Sequence, residues 1–114
     1  MAKDFIKFQD YFKKYQHKFG LTGYKAYFKY EPLETNFADI QINQTNMAVT
    51  IRLNSDLPGK DKPFRDIKRS AKHEAIHLLL GRLENRASSR YATENEIYEA
   101  VEELVNKLEE LLDG

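Results

Sequence analysis

The sequence predicts an α+β fold with the element order α-β-β-β-α-α, in a single domain of residues 1–114. Near the start and through the second half, apolar residues recur every three or four positions, which is the period of an amphipathic helix. Between these segments, three short runs alternate apolar with other residues, which is typical of strands that bury one face. Since a chain of this length can bury one core, we expect a three-stranded sheet packed on the helices.

The first helix is predicted over residues 3–19. Its apolar face is aromatic and has helical spacing: Phe5, Phe8, Phe12, Tyr15 and Phe19. Gly20 follows at once, and a glycine in this place is typical of a helix C-terminus. Because an apolar stripe at helical spacing normally packs inside the protein, we interpret it as core and not as a ligand-binding surface.

Three strands are predicted next. The first covers residues 24–31 and ends at Pro32, which cannot donate a backbone hydrogen bond. The other two cover residues 38–42 and 47–53, and the polar residues 43–46 between them predict the turn of a β-hairpin. The second and third strands should therefore pair with each other.

Two further helices complete the predicted fold. Residues 54–63 are rich in Pro, Gly and Asp and predict the longest loop. The second helix is predicted from Phe64 to about Asn85 and has apolar residues on more than one side, so we expect several elements to cover it. Thr93 followed by Glu96 fits a capping box and predicts the start of a last helix that continues to the C-terminus.

The charge composition narrows the possible partners. Eighteen basic and eighteen acidic residues balance, so no global field draws the protein to nucleic acid or to an anionic membrane. Asp61 and Asp66 interrupt the basic stretch at residues 60–72, and we expect no nucleic-acid partner. No run approaches the roughly 20 apolar residues of a membrane span. The sequence predicts a soluble, cytoplasmic protein without a membrane partner, either a monomer or a weak oligomer.

The segment AKHEAIHLLLG, residues 71–81, carries the most specific chemical pattern in the chain. Because there is no cysteine, a metal ion would have to be held by His, Asp and Glu. Residues four apart on a helix point the same way, so His73 and His77 can direct their imidazoles to one ion. Glu74 is turned by about 100° from His73, beside an open coordination position but not on the ion. Such a motif arises by chance on the order of one time in a hundred at this composition, which favours a zinc site.

The last helix supplies the candidates for a third zinc ligand, because His17 lies on the first helix and is expected to be solvated. The candidates are Glu94, Glu96, Glu99, Glu102 and Glu103. At 1.5 Å per residue, an antiparallel helix that starts near residue 94 comes level with the histidines at about residues 101–103. This level, at the edge of the apolar face, favours Glu102.

Three other glutamates remain open as the third ligand. Glu103 lies at the same level as the favoured position. Glu96 has another role as the partner of Thr93 in the capping box, and Glu99 points away from the apolar face. If Gly81 ended the second helix early, Glu96 and Glu99 would become better candidates.

The motif HEAIH, the single compact domain and the downstream sequence EELVNKL resemble the minigluzincins, which are small single-domain gluzincin metallopeptidases, and related short HExxH proteins of phages and prokaryotes. The resemblance implies a zincin-like fold, a zinc ion bound by two histidines and a glutamate, and peptidase or latent-peptidase activity. The metzincin extension is absent, since Leu83 stands where its third histidine would be. The more familiar gluzincin spacing would select Glu96 instead of Glu102.

These residues predict a hydrolytic mechanism. A zinc ion with three protein ligands and a water lowers the pKa of that water to about 7. Glu74 would take the water's proton and pass it to the leaving amine of a peptide or protein substrate. Strand 47–53, if it lies at the sheet edge, could hold the substrate by strand addition, and Tyr91 is the candidate donor to the oxyanion. The alternative is a non-catalytic or latent zinc-binding protein that acts through protein-protein contacts.

Overall fold

The computed structural model describes residues 2–56, 66–87 and 93–111, which form helices and one mixed three-stranded sheet in the predicted order. The elements are α1 Ala2–Lys18, β1 Lys25–Glu31, β2 Ala38–Asn43, β3 Ala48–Asn54, α2 Ile67–Ala87 and α3 Glu94–Leu111. The predicted α+β class is therefore confirmed. Residues 57–65, which include most of the predicted loop and Phe64, lie outside the described residues.

Helix α1 buries its aromatic face against the sheet and α2, as predicted. The fully buried members of this face are Phe8, Phe12 and Tyr15. Gly20, two residues after the helix, has a left-handed φ of 71°. Because side chains disfavour this conformation and glycine does not, the predicted C-terminal stop is confirmed.

The sheet has the strand order β1-β3-β2, so β3 is the central strand. β1 pairs with β3 in parallel, whereas β2 and β3 form the predicted antiparallel hairpin. The third strand could hold a peptide only at the sheet edge, and this condition is not met, because β3 is hydrogen-bonded on both sides. β3 also starts one residue later than predicted, since Met47 has a φ of 51° and belongs to the hairpin turn. The edge strand next to α2 is β2.

Helix α2 separates two clusters of buried apolar side chains and is covered on more than one side, as predicted. Toward α1 and the sheet, it contributes Ala71, Ala75 and Leu78 to the aromatic core. Toward α3, Ile76 belongs to a second and smaller cluster, with Ile97, Val101 and Val105. Helix α2 therefore links the sheet to α3.

Gly81 lies inside α2 and does not end it. A methyl group at this position would lie 2.9 Å from Cδ1 of Ile42 on β2, so any larger residue would push that side chain aside. Glycine thus lets the edge strand and the helix approach closely. In the described part of the chain, no helix has both the length and the apolarity needed to cross a membrane.

Candidate metal site

Helices α2 and α3 run antiparallel and bring both histidines of the motif to one glutamate. His77 Nε2 lies 2.9 Å from Glu102 Oε2, and His73 Nε2 lies 3.5 Å from Glu102 Oε1. One ligand atom from each of the three side chains lies within 4.8 Å of the others. Ligand atoms around one tetrahedral zinc ion are separated by roughly 3.3 Å, given bonds of about 2.0–2.1 Å. The group could therefore hold a metal ion.

One oxygen of Glu102 bears on whether the side chains present fit a metal ion. Glu102 Oε2 is buried and has no hydrogen-bond donor among the described residues, although it lies close to His77 Nε2. The two atoms are near enough for an ion pair. A buried carboxylate oxygen without a donor is costly. Since zinc takes imidazole nitrogens and carboxylate oxygens, the side chains present fit this ion.

His77 is suited to bind a metal near neutral pH. Burial lowers the pKa of its imidazole, because the charged form loses its water. The Glu102 carboxylate partly opposes this shift, and His73 adds to it. The neutral imidazole is the form that ligates metals, so the shift favours binding.

Glu74 lies beside the ligand group and faces the same cleft. Its side chain is only 6% exposed. Burial, followed by the charges of Asp39, Glu102 and Glu109, raises the pKa of Glu74 to about 8. A carboxyl group with such a pKa can accept and release a proton near neutral pH, as a general base and acid must.

The other glutamates considered as ligands lie elsewhere on α3. The backbone N–H of Glu96 donates to Thr93 Oγ1 at 3.1 Å, and the Thr93 hydroxyl donates to Glu96 Oε1 at 2.8 Å. The predicted helix cap is therefore confirmed, and it engages the Glu96 carboxylate. Glu99 and Glu103 are exposed. Of these candidates, the structure brings Glu102 to the histidines.

Two further residues singled out from the sequence take no part in this group. His17 is exposed on α1. Tyr91, the candidate oxyanion donor, lies outside the described residues. Among the residues that the structure does describe, one group of at least three His, Asp or Glu side chains could hold a metal ion. It consists of His73, His77 and Glu102.

Glu109 belongs to the site but was not predicted. Its side chain is 5% exposed, and its Oε2 lies 2.5 Å from His73 Nδ1. Its Oε1 accepts a hydrogen bond of 2.5 Å from Arg69 Nε. Glu109 follows Glu102 by seven residues on α3, which is close to two helical turns, so both face α2. This spacing is the signal by which the sequence could have pointed to it.

The ligand group opens into a cleft bounded by α2, α3 and the edge strand β2. The cleft has a volume of about 760 Å³, and residues of β2 and of the hairpin turn line it together with the three ligand-type side chains. A smaller cleft of about 400 Å³ lies toward the start of α2 and shares four lining residues with the first: Asn36, Ala38, His73 and Glu74. Together the two clefts follow β2 past the ligand group.

Comparisons of the chain with protein families, with characterised proteins and with solved structures found no match. The resemblance to the minigluzincins therefore stays a prediction from the motif residues.

Proposed function

We propose that this protein is a zinc-dependent metallopeptidase with a zincin-like fold, in which His73, His77 and Glu102 hold the metal. The observation that carries the proposal is the meeting of these three side chains, within 4.8 Å, beside the buried Glu74 in an open cleft. A zinc ion held by these residues would supply a Lewis acid that polarises a carbonyl and lowers the pKa of a water to about 7.

Glu74 is the general base of the proposed reaction. It accepts the proton of the attacking water and transfers it to the leaving amine. Its place directly after His73 turns it by about 100° on the helix, away from the ligand atoms but still into the cleft. The raised pKa supports this role, because a fully ionised and solvated carboxylate would be a poor donor to the amine.

The substrate is an extended peptide bound along β2. This strand pairs with β3 on one side, and its other side is a sheet edge next to the clefts. Edge strands bind peptides by main-chain hydrogen bonds, which would position a peptide carbonyl at the ligand group without demanding one particular sequence. β2 thus takes the role that the sequence suggested for the third strand.

The metal site can be tested separately from catalysis. Zinc analysis of protein purified without added metal should find one ion per wild-type chain. His73→Ala and His77→Ala should lose stoichiometric zinc, whereas Glu74→Gln should keep it, because Glu74 is not a ligand. Glu99→Gln, on an exposed part of α3, is the matched control. Full zinc retention in both histidine variants would refute the metal site.

Catalysis is tested with a broad library of extended peptides. Glu74→Gln should reduce cleavage by roughly 10²–10⁴-fold, because the amide keeps the size of the side chain but cannot accept the water's proton. Glu99→Gln should cleave like the wild type. If zinc-loaded wild-type protein cuts no peptide in the library, the peptidase proposal fails, and a non-catalytic zinc-binding protein takes its place.

A further inference from the structure

We infer that Glu109 is a positioning residue of the metal site, whose carboxylate sets the tautomer and the orientation of His73 while Arg69 holds it in place. This inference rests on the metal-binding part of the proposed function and is independent of peptide hydrolysis. Three features of the contact between α2 and α3 carry it.

The first feature is the choice of ring nitrogen. A carboxylate only accepts hydrogen bonds, so the contact of 2.5 Å between Glu109 Oε2 and His73 Nδ1 requires the hydrogen to be on Nδ1. His73 Nε2 then carries the free lone pair, and this is the nitrogen that lies 3.5 Å from Glu102 Oε1. A metal-binding histidine whose other nitrogen donates to a carboxylate is fixed in orientation and is a more basic ligand.

The second feature is the way in which a buried negative charge is compensated. Glu109 is 5% exposed, and a buried carboxylate without a partner destabilises a fold strongly. Arg69 is a permanent cation and donates from Nε to Glu109 Oε1 at 2.5 Å. Because one carboxylate oxygen meets Arg69 and the other meets His73, the two contacts together fix the plane of the carboxylate.

The third feature is the continuity of these contacts across the two helices. Arg69, His73 and His77 are spaced by four residues on one face of α2, and Glu109 and Glu102 alternate with them on the antiparallel α3. The resulting ladder runs Arg69–Glu109–His73–Glu102–His77. Glu102 alone would leave His73 free to rotate about its side-chain bonds. Glu109 supplies the second point that holds the ring.

Zinc affinity tests the inference directly, measured by competition with a chromophoric chelator. Glu109→Ala should weaken zinc binding roughly 10–100-fold, as expected for the loss of a carboxylate behind a ligating histidine. Glu109→Gln should fall between Glu109→Ala and the wild type, because its amide oxygen still accepts the Nδ1 hydrogen but carries no charge. Glu103→Gln, which alters an exposed carboxylate on the same helix, should bind like the wild type.

The tautomer of His73 gives a readout that a merely structural role would not change. In metal-free protein, nitrogen NMR at a pH where the ring is neutral should show the hydrogen of His73 on Nδ1. In Glu109→Gln it should stay there, and in Glu109→Ala it should move toward Nε2, with His77 as the internal reference. Wild-type zinc affinity in folded Glu109→Gln and Glu109→Ala, or a wild-type protein with the hydrogen on Nε2, would overturn the inference. If Glu109→Ala does not fold, Glu109→Gln and the wild-type tautomer decide the question.

Discussion

The two sides of helix α2 differ in the kind of contact that they make with the rest of the protein. On the side of α1 and the sheet, large side chains are completely excluded from water: Phe8, Phe12, Tyr15, Ile51, Leu53 and Leu78. On the side of α3, the apolar contact is a small cluster around Ile76, and the ladder of ionisable residues that contains the candidate site lies in the same interface. One side is held by large apolar side chains, and the other combines a few apolar residues with ionisable ones.

The difference has a physical reason. Burial of apolar area stabilises a fold directly, whereas a buried ion pair loses in desolvation much of what it gains in attraction. The α3 side therefore contributes less stability for the same number of residues. A metal ion that binds only the folded arrangement would add its binding free energy to this side. We expect changes on the two sides of α2 to separate stability from zinc affinity.

The largest effect is expected from Glu74, a buried acid on α2 that lines the cleft beside β2. Its pKa is raised from 4.5 to about 8, so the folded metal-free protein holds a proton that the unfolded chain releases. The free energy of unfolding should therefore fall as the pH rises from 4.5 to about 8, with the loss complete above that range. Glu74→Gln, which mimics the protonated acid, should remove the loss, a difference of up to roughly 5 kcal/mol.

Urea unfolding of metal-free wild type and Glu74→Gln across this pH range measures the effect. The lowered pKa of His77 reduces stability as the pH falls below its unfolded value, but it does so in both proteins and cancels in the comparison. Bound zinc should shrink the difference, because a cation beside Glu74 favours its ionised form. If the difference in the free energy of unfolding between the two proteins stays constant with pH, the raised pKa of Glu74 is contradicted.

The next largest effect, on stability, is expected on the side of α2 that packs against α1 and the sheet. Phe12 is fully buried, and its ring meets that of Phe28 edge to face with centroids 5.6 Å apart. Phe12→Ala should reduce the free energy of unfolding by about 3–5 kcal/mol through lost burial and the cavity left behind. The folded variant should bind zinc with wild-type affinity, since no ligand lies on this side of α2. A parallel fall in zinc affinity would show that the two sides are not separable.

A smaller loss of stability, with a larger effect on zinc, is expected from Val105. This residue is fully buried against α2 and lies on α3 between Glu102 and Glu109. Val105→Ala should reduce the free energy of unfolding by about 1–3 kcal/mol and weaken zinc binding, because it loosens the helix that carries both carboxylates. Leu104→Ala, an exposed neighbour, is the control for both measurements. Equal zinc affinity in the two variants would mean that the ladder of ionisable residues positions α3 without help from Val105.

The smallest effect concerns binding of the proposed peptide substrate. Asp39 in the larger cleft is paired with Arg52, whereas Glu84 and Glu94 lie farther along it without an ion-pair partner in the described ranges. The described residues that line this cleft include no Lys or Arg. Glu84→Gln or Glu94→Gln should therefore weaken binding of a lysine-containing peptide by about 2–5-fold, in line with a partly exposed ion pair. The same peptide with glutamine in place of lysine should bind these variants and the parent protein with equal affinity.

Glu99→Gln is the matched control for this last prediction. It also removes one negative charge, but Glu99 is exposed and does not line the cleft. Binding is best measured in Glu74→Gln, where no cleavage should interfere. If all three variants lose affinity equally, the effect comes from the total charge of the protein and not from the cleft.

The sequence by itself determined the elements and most of the candidate site, because both depend on local geometry. A period of three to four residues predicted α1, and a period of two predicted the strands. Four-residue spacing placed His73 and His77 on one helical face. The fixed rise per residue brought Glu102 level with them on an antiparallel neighbour, and the structure places it there.

Only the tertiary structure decided the strand order and the role of Glu109. The alternation in β2 and β3 is the same whether a strand has one neighbour or two, so the pattern could not tell which strand is central. A glutamate on an amphipathic helix is normally solvated. Glu109 can be buried because Arg69 and His73, 40 and 36 positions away, supply a charge and a hydrogen bond that local sequence does not contain.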